Sequence, residues 1–183
     1  DVCDFDVLAL SESPYRTIKQ FITINVQEKL QAGCGGGGYY KPKPPTIYLH
    51  PSNARRNNFT LLHELGHHLQ QHHIELAFAL LDLSPAGRKM AEEKISDEVA
   101  SQILLSGTDE PLDACHVHPA ELMVGLYKAK KASRSAVLEH VIKKLPETAK
   151  WILVVTDLDG IVQHGHSTYT DFQPAKGSHQ PGL

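Results

Sequence analysis

The sequence predicts a mixed α/β (α+β) protein: one long amphipathic helix with a patterned polar face, a small sheet with an edge strand beside it, and a helix pair plus hairpin towards the C-terminus. Three observations predict it. Apolar residues recur at helical spacing in several long segments, and these are interrupted by short alternating runs such as Thr46-Ile47-Tyr48-Leu49-His50. The 183 residues, 41% of them apolar, suffice for one domain with a sizeable core. The amphipathic stretch Phe59 to His73 carries His63-Glu64-Leu65-Gly66-His67, an HExxH arrangement in a chain with 12 histidines.

Composition excludes several classes. A net charge of −3 argues against direct nucleic-acid binding. No run of apolar residues is long enough to span a membrane. The cysteines, Cys3, Cys34 and Cys115, are odd in number, far apart and without a CxxC pair, so a disulfide framework is not expected and a reducing cytoplasm is. No signal peptide is read, although the chain begins at Asp1 rather than Met, as a fragment would.

In chain order, Val7 to Leu10 is apolar without a clear period. Ser13 and Pro14 start a helix with a stripe of Tyr15, Ile18, Ile22, Val26 and Leu30, expected to end at Gly33; the alternation of Ile22 to Val26 also fits a strand. Gly33 to Gly38, with Cys34, is too rich in glycine for regular structure, lacks the GK[ST] of a phosphate loop, and reads as a flexible loop near the site. Thr46 to His50 is a strand, placed at a sheet edge by the prolines before it. Asn57 or Asn58 is the expected cap of the HExxH helix. Ile74 to Leu83 is a short apolar helix, and Ser84-Pro85 opens a long one that Gly107 stops. Residues 119–131 and 133–145 are two further helices; Trp151 to Val155, Asp159-Gly160 and Ile161-Val162 form a hairpin. From Thr170 the polar, Pro- and Gly-containing tail is expected to be disordered. The expected division is a core over 1–110, a helical region over 111–148 and the hairpin and tail over 149–183, which either cap the protein or open a further domain.

The HExxH spacing has a chemical reason. Residues four apart on a helix are offset by ~40° and ~6 Å, so His63 and His67 can reach one ion, as zinc requires. Glu64, one step around, is placed to take a proton from water and pass it to a leaving amine. A third ligand is needed. His73 stands where an HExxHxxGxxH pattern would put it, but Gln70 replaces the glycine that lets the chain turn. Glu93, with Asp97 one turn on in Glu93-Lys94-Ile95-Ser96-Asp97, is the other candidate; Asp97 would then orient a ligand histidine, most simply His63. Glu92, Glu98, His116 and His118 are further possibilities. For an oxyanion donor the candidates are Tyr48, His50, His116, His118 and Tyr127.

Arg55-Arg56-Asn57-Asn58-Phe59-Thr60-Leu61-Leu62-His63-Glu64-Leu65-Gly66-His67-His68-Leu69 resembles the ImmA/IrrE family of metallopeptidases. Glu93 to Ala100 and Ile103-Leu104-Leu105 resemble its second motif, with Ser96 for the usual Ala and Val99 for an aromatic. The likeness runs over about residues 36 to 106 and supports Glu93 over His73. It implies a thermolysin-like zincin core and a gluzincin-like endopeptidase that cleaves helix-turn-helix repressors. It implies Zn2+ (Mn2+ as the alternative) on His63, His67 and Glu93, with Glu64 as the general base. The helix pair 119–145 is more weakly similar to the helix-turn-helix region of some members, with Lys128, Lys130, Lys131 and Arg134 as a small basic cluster. Two other readings stay open: a metzincin-like protease using His73, and a non-hydrolytic regulator or DNA-binding adaptor that keeps the metal for structure.

Overall fold

The structure, a computed structural model, describes residues 6–22, 24–28, 37–108, 118–146 and 149–179. Cys3, Cys34, Cys115, His116 and the glycines from Gly33 to Gly36 lie outside those residues. The chain divides into two compact units, Asp1–Ser106 and Gly107–Leu183.

The first unit opens with α1 (Val7–Glu12) and α2 (Pro14–Phe21). The Asp6 carboxylate accepts from the N–H groups of Leu8 and Ala9, satisfying donors that the first turn leaves unpaired. Pro14 takes the first position of α2, where its missing N–H costs nothing. The helix expected to reach Gly33 stops at Phe21. The chain becomes β1 (Asn25–Glu28), which pairs in parallel with β3 (Pro45–Leu49). The apolar alternation of this segment wins over its helical stripe because β3 supplies ladder partners, with Ile22 and Ile24 buried beside the strand.

On its other side β3 pairs antiparallel with β2 (Gly38–Pro42), giving the order β1-β3-β2. The strand expected at a sheet edge is therefore the central one. Pro45 is tolerated because it is the first residue of β3. The edges are β1 and β2, and β2 is the one that lines the cavity described below. His50 N–H donates to Gly37 O at 2.8 Å, which with the register makes 37, 39 and 41 the positions bonded to β3. Gly38, Tyr40 and Pro42 turn their backbone groups outwards.

Helix α3 (Ala54–His72) begins at Asn53, whose side chain accepts from Arg56 N–H at 3.0 Å; Asn57 and Asn58 fall inside the first turns. Leu61, Leu62 and Leu65 are fully buried, so the apolar stripe faces the core. After α4 (Ile74–Leu81) comes α5 (Pro85–Leu104), capped by the Ser84 hydroxyl with Pro85 at its first position. Helices α3 and α5 run antiparallel: His63 meets Asp97, Gly66 meets Ser96, and Gln70 meets Glu92. Gly66 makes this seam close, since a Cβ there would stand 2.8 Å from Ser96 Cα. Gln70, buried, donates from Nε2 to Ser96 Oγ at 2.8 Å and to Glu92 O at 3.0 Å.

In the second unit α6 (Pro119–Ala129) and α7 (Arg134–Lys144) precede β4 (Ile152–Thr156) and β5 (Val162–Ser167), an antiparallel hairpin. Ser133 caps α7, and α7 buries Val137, Leu138, Val141 and Ile142 while packing on the hairpin. At the turn, the Asp157 carboxylate accepts from Asp159 and Ile161 N–H, and Gly160 adopts φ 75°. Residues 170–179 differ from the disordered tail that their polarity suggests. They fold back along β5, with Val162 N–H donating to Ser178 O and Gly177 N–H to Val162 O. No helix among the described residues is long and apolar enough to cross a membrane.

Candidate metal centre

The α3–α5 seam brings three predicted residues together. His63 Nε2 lies 3.2 Å from His67 Nε2 and 3.4 Å from Glu93 Oε2, and His67 Nε2 is 3.9 Å from Glu93 Oε1. One ligand atom from each of the three lies within 4.8 Å of the others, a group that could hold a metal ion. Two imidazoles and a carboxylate suit a borderline ion such as zinc, which three protein ligands leave with an open position. Asp97 completes the arrangement: its carboxylate accepts from His63 Nδ1–H at 2.8 Å, so the Nε2 lone pair faces His67 and Glu93. The seam explains the geometry. Gly66 sits between the histidines, and its lack of a side chain lets α5 approach until Glu93 reaches both rings.

Glu64 is buried at 6% exposure and lines the same cavity of about 810 Å³ as His63, His67 and Glu93. Burial pushes its carboxyl pKa up. The neighbouring His63 ring and the backbone N–H of Tyr40 pull it back, and Glu93 adds to the rise. Burial also lowers His67, with His63 contributing, and thereby favours the neutral imidazole that a metal needs. Tyr40 grips α3 twice. Its N–H reaches Glu64, and its hydroxyl, with a pKa raised by burial, lies 2.7 Å from His68 Nδ1. Burial, and His72 beside it, push His68 down to about 4, so its Nδ1 can accept from the hydroxyl.

The other candidates fall elsewhere. His73 is exposed at the end of α3, where its ring accepts from Leu76 N–H at 3.3 Å and caps α4; it is not part of the His63–His67–Glu93 group. Because Gln70 keeps α3 helical, His73 is carried ~9 Å along the axis beyond His67. Glu92 lines the cavity, whereas Glu98 accepts from Gln102 Nε2 at 2.8 Å. Tyr48 stacks on Tyr39, with ring centroids 4.6 Å apart, and is not among the cavity-lining residues; neither is His50. His118 and Tyr127 belong to the second unit. The sequence places Gly37 and Gly38 in a loop near the site but gives no site role to Tyr39, Tyr40, Arg56 or Lys89, and all six line the cavity. Helical spacing could have found two of them. Arg56 precedes His63 by seven residues and Lys89 precedes Glu93 by four, so each shares a face with a candidate ligand.

No curated protein matches the chain. Among solved structures, a Mycobacterium tuberculosis transcriptional regulator has the same fold, with a TM-score of 0.54 at 14% identity, over 87% of this chain and 49% of that one. The chain thus spans about half the length of that regulator. The family model described as the IrrE N-terminal-like domain, Peptidase M78, matches residues 22–115, from the start of the sheet through α3, α4 and α5. The strand edge, the HExxH helix and the helix bearing Glu93 all lie within that match, and the chain belongs to the IrrE N-terminal-like family of metallopeptidases.

Proposed function

We propose that this protein is a zinc-dependent endopeptidase acting on a protein substrate in the cytoplasm. The observation that carries the reading is the convergence of His63, His67 and Glu93 within 4.8 Å beside the buried Glu64. His63 Nε2, His67 Nε2 and the Glu93 carboxylate hold the ion, with Mn2+ as the alternative. The bound ion supplies Lewis acidity towards a carbonyl oxygen and towards water. Asp97 holds His63 in one tautomer. Glu64 takes a proton from the attacking water and delivers it to the leaving nitrogen; burial makes it a stronger base than a solvated carboxylate. The outward backbone of β2 pairs with the substrate chain, a mode that edge strands provide. A helix-turn-helix repressor is the substrate we favour, on the family resemblance; the transcriptional regulator of like fold is compatible with a role in transcription.

Metal content by mass spectrometry on wild type, Glu93→Ala and His73→Ala tests the ligand set. About one zinc per chain, kept in His73→Ala and lost in Glu93→Ala, is expected from three-ligand zinc sites. Retention in Glu93→Ala would remove Glu93 from the centre. A cleavage screen against repressors encoded beside the gene, with Glu64→Gln as the inactive control, then tests the chemistry. Cleavage unchanged in Glu64→Gln would refute the role of the base.

A further inference from the structure

Two cations stand at opposite ends of the cavity. Arg56 lies on α3, seven residues before His63 and therefore ~10 Å along the helix on the same face. Lys89 lies on α5, four residues before Glu93 and ~6 Å from it along the axis. Because the two helices run antiparallel, these displacements point in opposite directions, and the metal group lies between the two cations. Neither side chain makes an ion pair, hydrogen bond or ring contact among the described residues. For Lys89 this is informative. A carboxylate four residues on is within reach of a helical lysine, but Glu93 is turned to the histidines instead. Between the cations the lining is acidic, with Glu64, Glu92, Glu93 and Asp97. The potential along the cavity therefore runs positive, negative, positive. An acidic side chain is repelled at the centre, except by a bound ion's own charge, and favoured at both ends.

We infer that Arg56 and Lys89 determine specificity: the cavity takes an extended peptide carrying an acidic side chain on each side of the bond at the centre. The inference rests on the peptidase reading and adds its substrate class. A peptide laid along β2 advances ~3.3 Å per residue, so each cation lies roughly two to four residues from the centre. The positions just beside the central bond are free of this requirement.

The test uses the full chain with Glu64→Gln, with zinc and with chelator. Its probes are fluorescein-labelled dodecapeptides that differ only in having Glu, Gln or Lys at the positions two to four residues from the centre. Binding is read by anisotropy. The Glu peptide is expected to bind about tenfold tighter than the Lys peptide at low salt, with the difference shrinking as salt rises. Arg56→Glu and Lys89→Glu should each reverse the preference on one side of the peptide only. Both residues are at the surface, and an unchanged melting curve confirms that the variants fold. Equal affinities for the three peptides, whether tight or undetectable, overturn the inference, as does a preference that survives both charge reversals. Cleavage of the same peptides by zinc-loaded wild type is scored separately. Charge preference without cleavage keeps the specificity and removes the peptidase; cleavage without charge preference does the reverse.

Discussion

Replacing Gly66 by alanine tests the seam on which the whole site depends. The added Cβ would stand 2.8 Å from Ser96 Cα, 3.0 Å from Ser96 Oγ and 3.1 Å from Ser96 Cβ. Carbon atoms in contact prefer about 3.5–4.0 Å, so the backbone contact is short by about 0.7 Å. Ser96 cannot turn away cheaply, because its hydroxyl accepts from the buried Gln70 and its Cα belongs to α5. The helices must part. Overpacking of this kind costs about 2 kcal/mol, and the better helix propensity of alanine returns about 1. The net loss of about 1 kcal/mol lowers Tm by roughly 3 °C in a chain of this size. Parting the helices also moves Glu93 away from His63 and His67 by several times the ~0.2 Å that metal–ligand distances tolerate, so zinc affinity should fall about tenfold or more. Gly125→Ala in α6 is the control: a Cβ there meets nothing within 4 Å, and the same propensity gain of about 1 kcal/mol should raise Tm by about 3 °C. Calorimetry and zinc titration on both variants decide. A Tm that rises in Gly66→Ala with zinc affinity unchanged would refute the claim that this glycine sets the ligand geometry.

Three other perturbations follow from the same contacts. Asp97→Asn weakens the hydrogen bond to His63 Nδ1 and should lower zinc affinity about 10- to 100-fold with little change in the melting of the metal-free protein, measured by competition with a chelating dye. Tyr40→Phe removes the hydroxyl that meets His68 and should cost about 1 kcal/mol in denaturant titration while speeding amide exchange in β2. Ser84→Ala removes the hydroxyl that accepts from Gly87 N–H at the start of α5 and should also cost about 1 kcal/mol, with zinc affinity retained because the cap is remote from Glu93.

The HExxH helix was legible because one segment carried two independent signals, an apolar stripe and a spacing with a chemical purpose. Glu93 and Asp97 stand out only once that motif gives a charged helix face a reason to turn towards the histidines, beside which the fold places them. His73 shows the limit from the other side. Its spacing fits a ligand, and one residue, Gln70, decides against it by keeping the helix straight and bonding to α5. What the sequence hid is what the fold makes by pairing. Tyr39 to Pro42, between a glycine run and two further prolines, carries only the short strand signal of Tyr39-Tyr40 and becomes β2 because β3 offers it a ladder. The rank of β3 as central strand was hidden for the same reason, since two neighbours of weak propensity flank it. Ile22 to Val26 satisfied helical and extended periods at once, and only the partner strand chose between them.

The outward edge of β2 has a consequence for how this protein keeps to itself. An open sheet edge invites any passing strand, including one from another copy. Here the invitation is short and selective. Of the three outward positions, Pro42 has no N–H to give, Tyr40 has already given its own to Glu64, and only Gly38 retains a donor. A strand from a neighbouring molecule finds one free donor along this edge. In the proposed reaction, a proton taken up by Glu64 would weaken its hold on the Tyr40 N–H and leave a second donor for the substrate chain. On the proposed function, guarding the edge and serving the chemistry would fall to one carboxylate.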